Sequence, residues 1–104
     1  MVTSRLSMIL TDEELHRIHV SKNTDDELMI IADVHGMTCV KVRKFINNII
    51  NVVRTAFQLV IIHGYTHGTA IKDMLANDFT NNHICDRYTD SYNYGVTHML
   101  IDVV

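Results

Sequence analysis

The sequence predicts a two-layer α/β sandwich: a mixed four-stranded sheet in β-α-β-α-β-β order, two helices, and an N-terminal extension. Three observations predict it. Leu28-Met29-Ile30-Ile31-Ala32 and Phe57–Ile62 are short continuous apolar runs, the pattern of strands buried on both faces. Each run leads through a His-Gly loop into a stretch whose apolar residues recur at helical spacing. Two more strand-like runs, parted by a polar turn, follow near the C-terminal end. At 104 residues, 47% hydrophobic and 20% charged, the chain suits one domain with a real core.

The first 28 residues form the extension, and residues 29–104 form the domain. In the extension, Leu6, Met8 and Leu10 alternate as a strand would. Thr11-Asp12-Glu13-Glu14 has the spacing of a capping box before a short helix, and residues 21–26 are rich in turn formers. The first buried run ends at Asp33. Thr38 then caps a helix whose apolar positions Val42, Phe45, Ile46, Ile49, Ile50 and Val53 lie three or four residues apart, ending near Thr55. After the second run, His63 to Gly68 form a loop, and Thr69 opens a helix with Ile71, Met74, Leu75 and Phe79 inward. Strand, helix, strand implies a parallel pair with a right-handed crossover. Residues 84–88 and 96–104 supply the last two strands, with a turn over 89–93. His98 is expected to share a face with Val96 or Leu100, at an exposed edge.

Composition narrows the functional classes. No apolar run approaches the roughly 20 residues that span a bilayer, and the first residues lack a signal peptide's apolar stretch. A soluble, cytoplasmic protein without a membrane partner is therefore expected. Cys39 and Cys85, widely spaced, read as reduced thiols buried as small apolar residues. The net charge of −3 comes wholly from residues 1–28. Between Asp33 and Asp73 there is no acid, while Lys41, Arg43, Lys44, Arg54 and Lys72 all lie in that interval. The segment with both His-Gly loops is locally basic, either as a nucleic-acid footprint or as a helix's solvated face.

Loops leaving the carboxyl ends of two parallel strands emerge on one edge of the sheet, so Asp33 and His35 can converge with His63 and His67. Gly36, Gly64 and Gly68 allow close backbone approach, the following helix N-termini attract anions, and Thr69 and Lys72 add a hydroxyl and a cation. A phosphate-bearing ligand suits this set; glycines that serve only tight turns are the plainer alternative. For the histidines three roles are open. They can transfer protons, with Asp33 orienting His35. They can hold a divalent metal such as Zn, Mn or Fe together with a carboxylate. Or they can bond to backbone and brace the loops.

Ile31-Ala32-Asp33-Val34-His35-Gly36-Met37-Thr38 resembles the hydrophobic–Asp–x–His–Gly–hydrophobic–Thr motif of the small MutS-related (Smr) domain. Val60-Ile61-Ile62-His63-Gly64 with Gly68 is similar to that family's His-Gly-x-Gly-x-Gly loop, and Gly95-Val96-Thr97 to the start of its final strand. The resemblance covers residues 29–104. It implies a fold like the C-terminal domain of translation initiation factor three. It also implies binding of RNA or DNA, with endonuclease activity on RNA or branched DNA in several members. Carried over residue by residue, it points to Asp33, His35 and His63 for cleavage, with Gly64 and Gly68 in the second loop. Tyr65 stands where the family often has Lys, and Thr66 where it has its middle glycine, departures that bear on cleavage more than on fold.

The leading expectation is an Smr-like domain that binds nucleic acid along Lys41, Arg43, Lys44 and the two loops and hydrolyses a phosphodiester. His35 or His63 then serves as acid or base, Asp33 orients His35 or holds a metal, and backbone N–H groups from Gly64 to Thr69 face the phosphoryl charge. Tyr65 offers a ring for stacking on a base. A two-metal mechanism lacks the acids it needs between Asp33 and Asp73. The alternatives are a non-catalytic module that dimerises or meets a protein partner through residues 1–28, and a binder of a small phosphorylated ligand.

Overall fold

All four expected strands form, and the N-terminal segment adds a fifth. The computed structural model describes residues 2–64 and 68–102. Helices α1 (Val2–Ile9) and α2 (Asp12–His16) precede strand β1 (Ile18–Lys22). Then come β2 (Leu28–Asp33), α3 (Cys39–Val52) and β3 (Phe57–Ile62). Helix α4 (Ala70–Asp73) continues into one π-helical turn (Met74–Asp78), and β4 (Ile84–Thr89) and β5 (Val96–Ile101) come last. The sheet order is β1-β2-β3-β5-β4, with β2 and β3 parallel and the other pairs antiparallel.

The N-terminal segment shares the core of the rest. Residues 2–9 are helical, not extended, because Val2, Leu6 and Leu10 form a four-residue row that competes with the two-residue alternation. Leu6 and Leu10 are buried, whereas Met8, which the strand reading pointed inward, stands in solvent. The capping box forms: the Thr11 hydroxyl accepts from Glu14 N–H, and Glu14 accepts from Thr11 N–H. Residues 18–22, partly within the expected turn, become an edge strand on β2, and Asn23 closes the hairpin by accepting from Asp25 and Glu27 N–H.

Alternate strand residues, among them Ile30, Ala32, Leu59, Ile61, Met99 and Ile101, join Phe45, Ile46, Ile49, Leu75 and Phe79 from the helices in one core. Thr38 caps α3 as expected, accepting from Lys41 N–H. The second helix is tighter to describe as two pieces: after Asp73 it widens, and Phe79 N–H donates to Met74 O. Arg87 on β4 donates to Leu75 O and Phe79 O at that end, each at 2.6 Å. Strand β5 lies between β3 and β4, so His98 shares a face with Val96 and Leu100 but is not at an edge. Cys39 is half-buried and Cys85 exposed in the bulge of β4, so the expectation of two buried thiols fails for Cys85; both are free.

Candidate functional site

The parallel pairing of β2 and β3 matches Asp33 with Ile62, which places both following loops at one edge of the sheet. There they line a cleft of about 650 Å³ with the starts of α3 and α4. Its walls include His35, Gly36, Met37, Thr38, Cys39, His63, Gly64, Gly68 and Ile71. Gly36 has φ 79° and Gly64 φ 73°, the left-handed region where a Cβ is strained, so each loop turns on its glycine.

His35 lines the cleft, and Asp33 at the end of β2 pairs with it. Asp33 Oδ1 accepts from both His35 Nδ1 and His35 N–H, fixing ring and backbone together. The His35 side chain is 69% exposed, and among the described residues Nε2 has no partner. Sequence reasoning missed the group that holds this loop from behind. Arg17, just before β1, donates to Asp33 O at 3.1 Å and His35 O at 3.2 Å. No local signal marks it, because the contact spans 16 and 18 residues.

His63 meets a different environment. It is 6% exposed, its Nδ1–H donates to Gly64 O and its Nε2 accepts from the Thr97 hydroxyl, both at 2.8 Å. Burial pushes its pKa below the ordinary 6.5; the bond to Gly64 O opposes this, and the charge of Lys72 adds to the lowering. The ring is thus neutral with both nitrogens engaged, and as placed it braces the second loop. His63 and Gly64 N–H both donate to Gly95 O, so the Gly64 N–H expected to face a phosphate is already used. Thr69 is likewise committed, donating to Asp73.

The cations divide. Lys41 and Lys44 are exposed, form no ion pair among the described residues, and line a groove with Arg17 and the Gly36–Met37–Thr38 turn. Since that turn also lines the cleft, groove and cleft are continuous around it. Glu13 and Glu14 border the same groove; Glu13 lies 3.8 Å from Arg17 and Glu14 serves the capping box. Arg43 points the other way, 3.4 Å from Asp78 O, and Arg54 follows α3 at the opposite end from the loops. Lys72 is half-buried on α4. Tyr65 and His67 lie outside the described residues.

A third segment reaches this edge. The turn between β4 and β5 meets the second loop through Gly95, and it carries Tyr92, 100% exposed, and Tyr94. Asp90 fixes the turn by accepting from Tyr92 and Asn93 N–H. The polar composition of 89–93 gave a turn, but only strand pairing brings its Gly95 against the second loop. Among the described residues, no three His, Cys, Asp or Glu side chains gather where a metal ion could bind, so the metal alternative finds Asp33 and His35 alone. No helix of the described residues is long and apolar enough to cross a membrane. Comparison with protein-family models, curated proteins and solved structures found no match.

Proposed function

We propose that this chain binds RNA or DNA across the Gly36–Thr38 turn and that the Asp33–His35 pair acts on a phosphodiester held there. One observation carries the reading. His35, held by Asp33, lines a mainly apolar cleft beside the Gly36–Thr38 turn, and the groove with Lys41 and Lys44 meets the cleft at that turn, so a strand can lay its phosphates along the two lysines and a base inside. Tyr92 and Tyr94 are exposed on the turn whose Gly95 meets the second loop and offer rings on which bases stack, a contact worth about 1–3 kcal/mol per base. The motif resemblance of residues 29–104 to the Smr domain points to the same chemistry.

In this mechanism Asp33 holds the His35 tautomer with Nδ1–H toward the carboxylate and leaves Nε2 to take a proton from the attacking hydroxyl. The same nitrogen, once protonated, serves the leaving oxygen. His63 does not exchange protons; it keeps the second loop in place through Gly64 and Thr97.

The test is cleavage and binding of labelled single-stranded RNA and branched DNA by the wild type, His35→Ala and Asp33→Asn, with and without Mg²⁺ or Mn²⁺. Cleavage that both substitutions abolish in folded protein is expected; acid–base catalysis of this kind contributes about 10²–10⁴-fold. Cleavage by the wild type that both variants retain removes the pair from the mechanism. Binding that is absent at low salt removes the nucleic-acid reading. The volume of the cleft favours a second reading, a small phosphorylated ligand, which mononucleotide binding without uptake of longer polymers would support.

A further inference from the structure

We propose that the uncovered face of the sheet is where two copies of this chain pack, sheet on sheet, about a two-fold axis. Every core residue of the strands points to the helical side. The alternate residues point away from it, and six of them are aliphatic: Met29, Ile31, Val60, Ile62, Val96 and Leu100. None of these six is buried, and Leu100 is 41% exposed. The strand register lines them up rather than scattering them. Ile31, Val60 and His98 form one row across β2, β3 and β5, and Met29, Gln58 and Leu100 form the next. Tyr88 extends the first row by stacking on His98, with ring centroids 5.0 Å apart.

Charge selects the occupant. Among the described residues this face carries no Lys or Arg, and its acids, Asp33, Asp86 and Asp90, lie at its margins. A phosphate backbone or anionic membrane surface would find no cation on it, whereas an uncharged apolar sheet matches its own copy. Strand β3 is the middle of five. A two-fold axis along it lays β1 of one copy over β4 of the other. That sets His19 against Tyr88 and Ser21 against Asp86, and the aliphatic residues of β2 against those of β5. The area suffices. With strands about 4.8 Å apart and about 3.3 Å per residue, the face measures roughly 24 by 20 Å. A pair then buries about 1,000 Å², the threshold for a biological interface and the size of a weak, reversible one. Aligned packing of two twisted sheets is the ordinary geometry for such faces.

Sedimentation velocity across the micromolar to submillimolar range tests this, on the wild type, Leu100→Lys, Val60→Lys and Met8→Lys. The wild type is expected to sediment at twice the 11.9 kDa of one chain. Leu100→Lys and Val60→Lys should each weaken the dimer by roughly tenfold or more with the circular dichroism spectrum retained. Met8→Lys, on the exposed side of α1, should leave it intact. Leu100 is exposed enough that its substitution tests the contact even if Val60→Lys does not fold. A monomer at every concentration overturns the proposal and assigns the face to another protein. A dimer that survives Leu100→Lys, or that Met8→Lys breaks, overturns it by placing the contact elsewhere.

Discussion

His35 and His63 each stand before a glycine at the end of a parallel strand, yet one ring is open to solvent and the other is sealed. The difference lies in what the far chain brings. Thr97 on β5 reaches His63 Nε2, while nothing among the described residues reaches His35 Nε2. Replacing Thr97 by Val removes the hydroxyl donor and leaves a buried ring nitrogen unpaired, at a cost of about 1–3 kcal/mol, readable as a shift of the urea midpoint. The sign of the pH dependence follows from the lowered pKa of His63. Below the ordinary 6.5 the unfolded chain binds the proton that the folded ring refuses, so stability is full above that pH and is lost as pH falls below it. Thermal melts between pH 8 and pH 5 should show this decline, and His63→Asn should flatten it. Asp90 has the opposite charge and a lowered pKa, held down first by its bond from His98, so its contribution is in place above 3.8 and lost as pH falls below.

Among the elements, α3 is the most legible in sequence and α4 the least. Thr38 and the apolar row from Val42 to Ile50 define α3 from within, and replacing Thr38 by Ala should cost about 1 kcal/mol. Helix α4 has only four α-helical residues before it widens, and its end rests on Arg87, which arrives from another strand. Arg87→Met should therefore destabilise the protein by about 1.5–3 kcal/mol, since two carbonyls lose a charged donor. Chemical denaturation checks this, and an unchanged midpoint would mean that water replaces the guanidinium. The basic stretch shows the same limit at the scale of one helix. Lys41, Arg43 and Lys44 are neighbours in sequence, but only Lys41 and Lys44 face the groove at the first loop. Replacing both by Ala should lower the salt slope of nucleic-acid binding by about 1–2, while Arg43→Ala should leave it unchanged.

At the scale of the molecule, the acidic extension and the loop-bearing segment fold as one body around one core, with a radius of gyration of 12.8 Å. The extension supplies an edge strand, the wholly buried Leu6, and Arg17 behind the first loop. Leu6→Ala should cost about 2–5 kcal/mol by leaving a cavity between α1 and α3, measured by denaturant unfolding. The same substitution in an independent appendage would cost little. Among the described residues the helices cover one face of the sheet and none covers the other, which is why the chain presents two separate surfaces: an edge with two loops and a cleft, and an apolar face.

The sequence by itself determined the parallel pair, the crossover helix, the position of both His-Gly loops and the pairing of Asp33 with His35, because each follows from local periodicity or from residues two apart. The tertiary structure alone decided the rest. It paired residues 18–22 with β2, buried His63 against Thr97, placed Arg17 behind the first loop and Gly95 against the second, and divided the cations of α3. Each of these contacts joins residues far apart in the chain. Such contacts are fixed by which strand lies beside which, and local pattern does not encode that order.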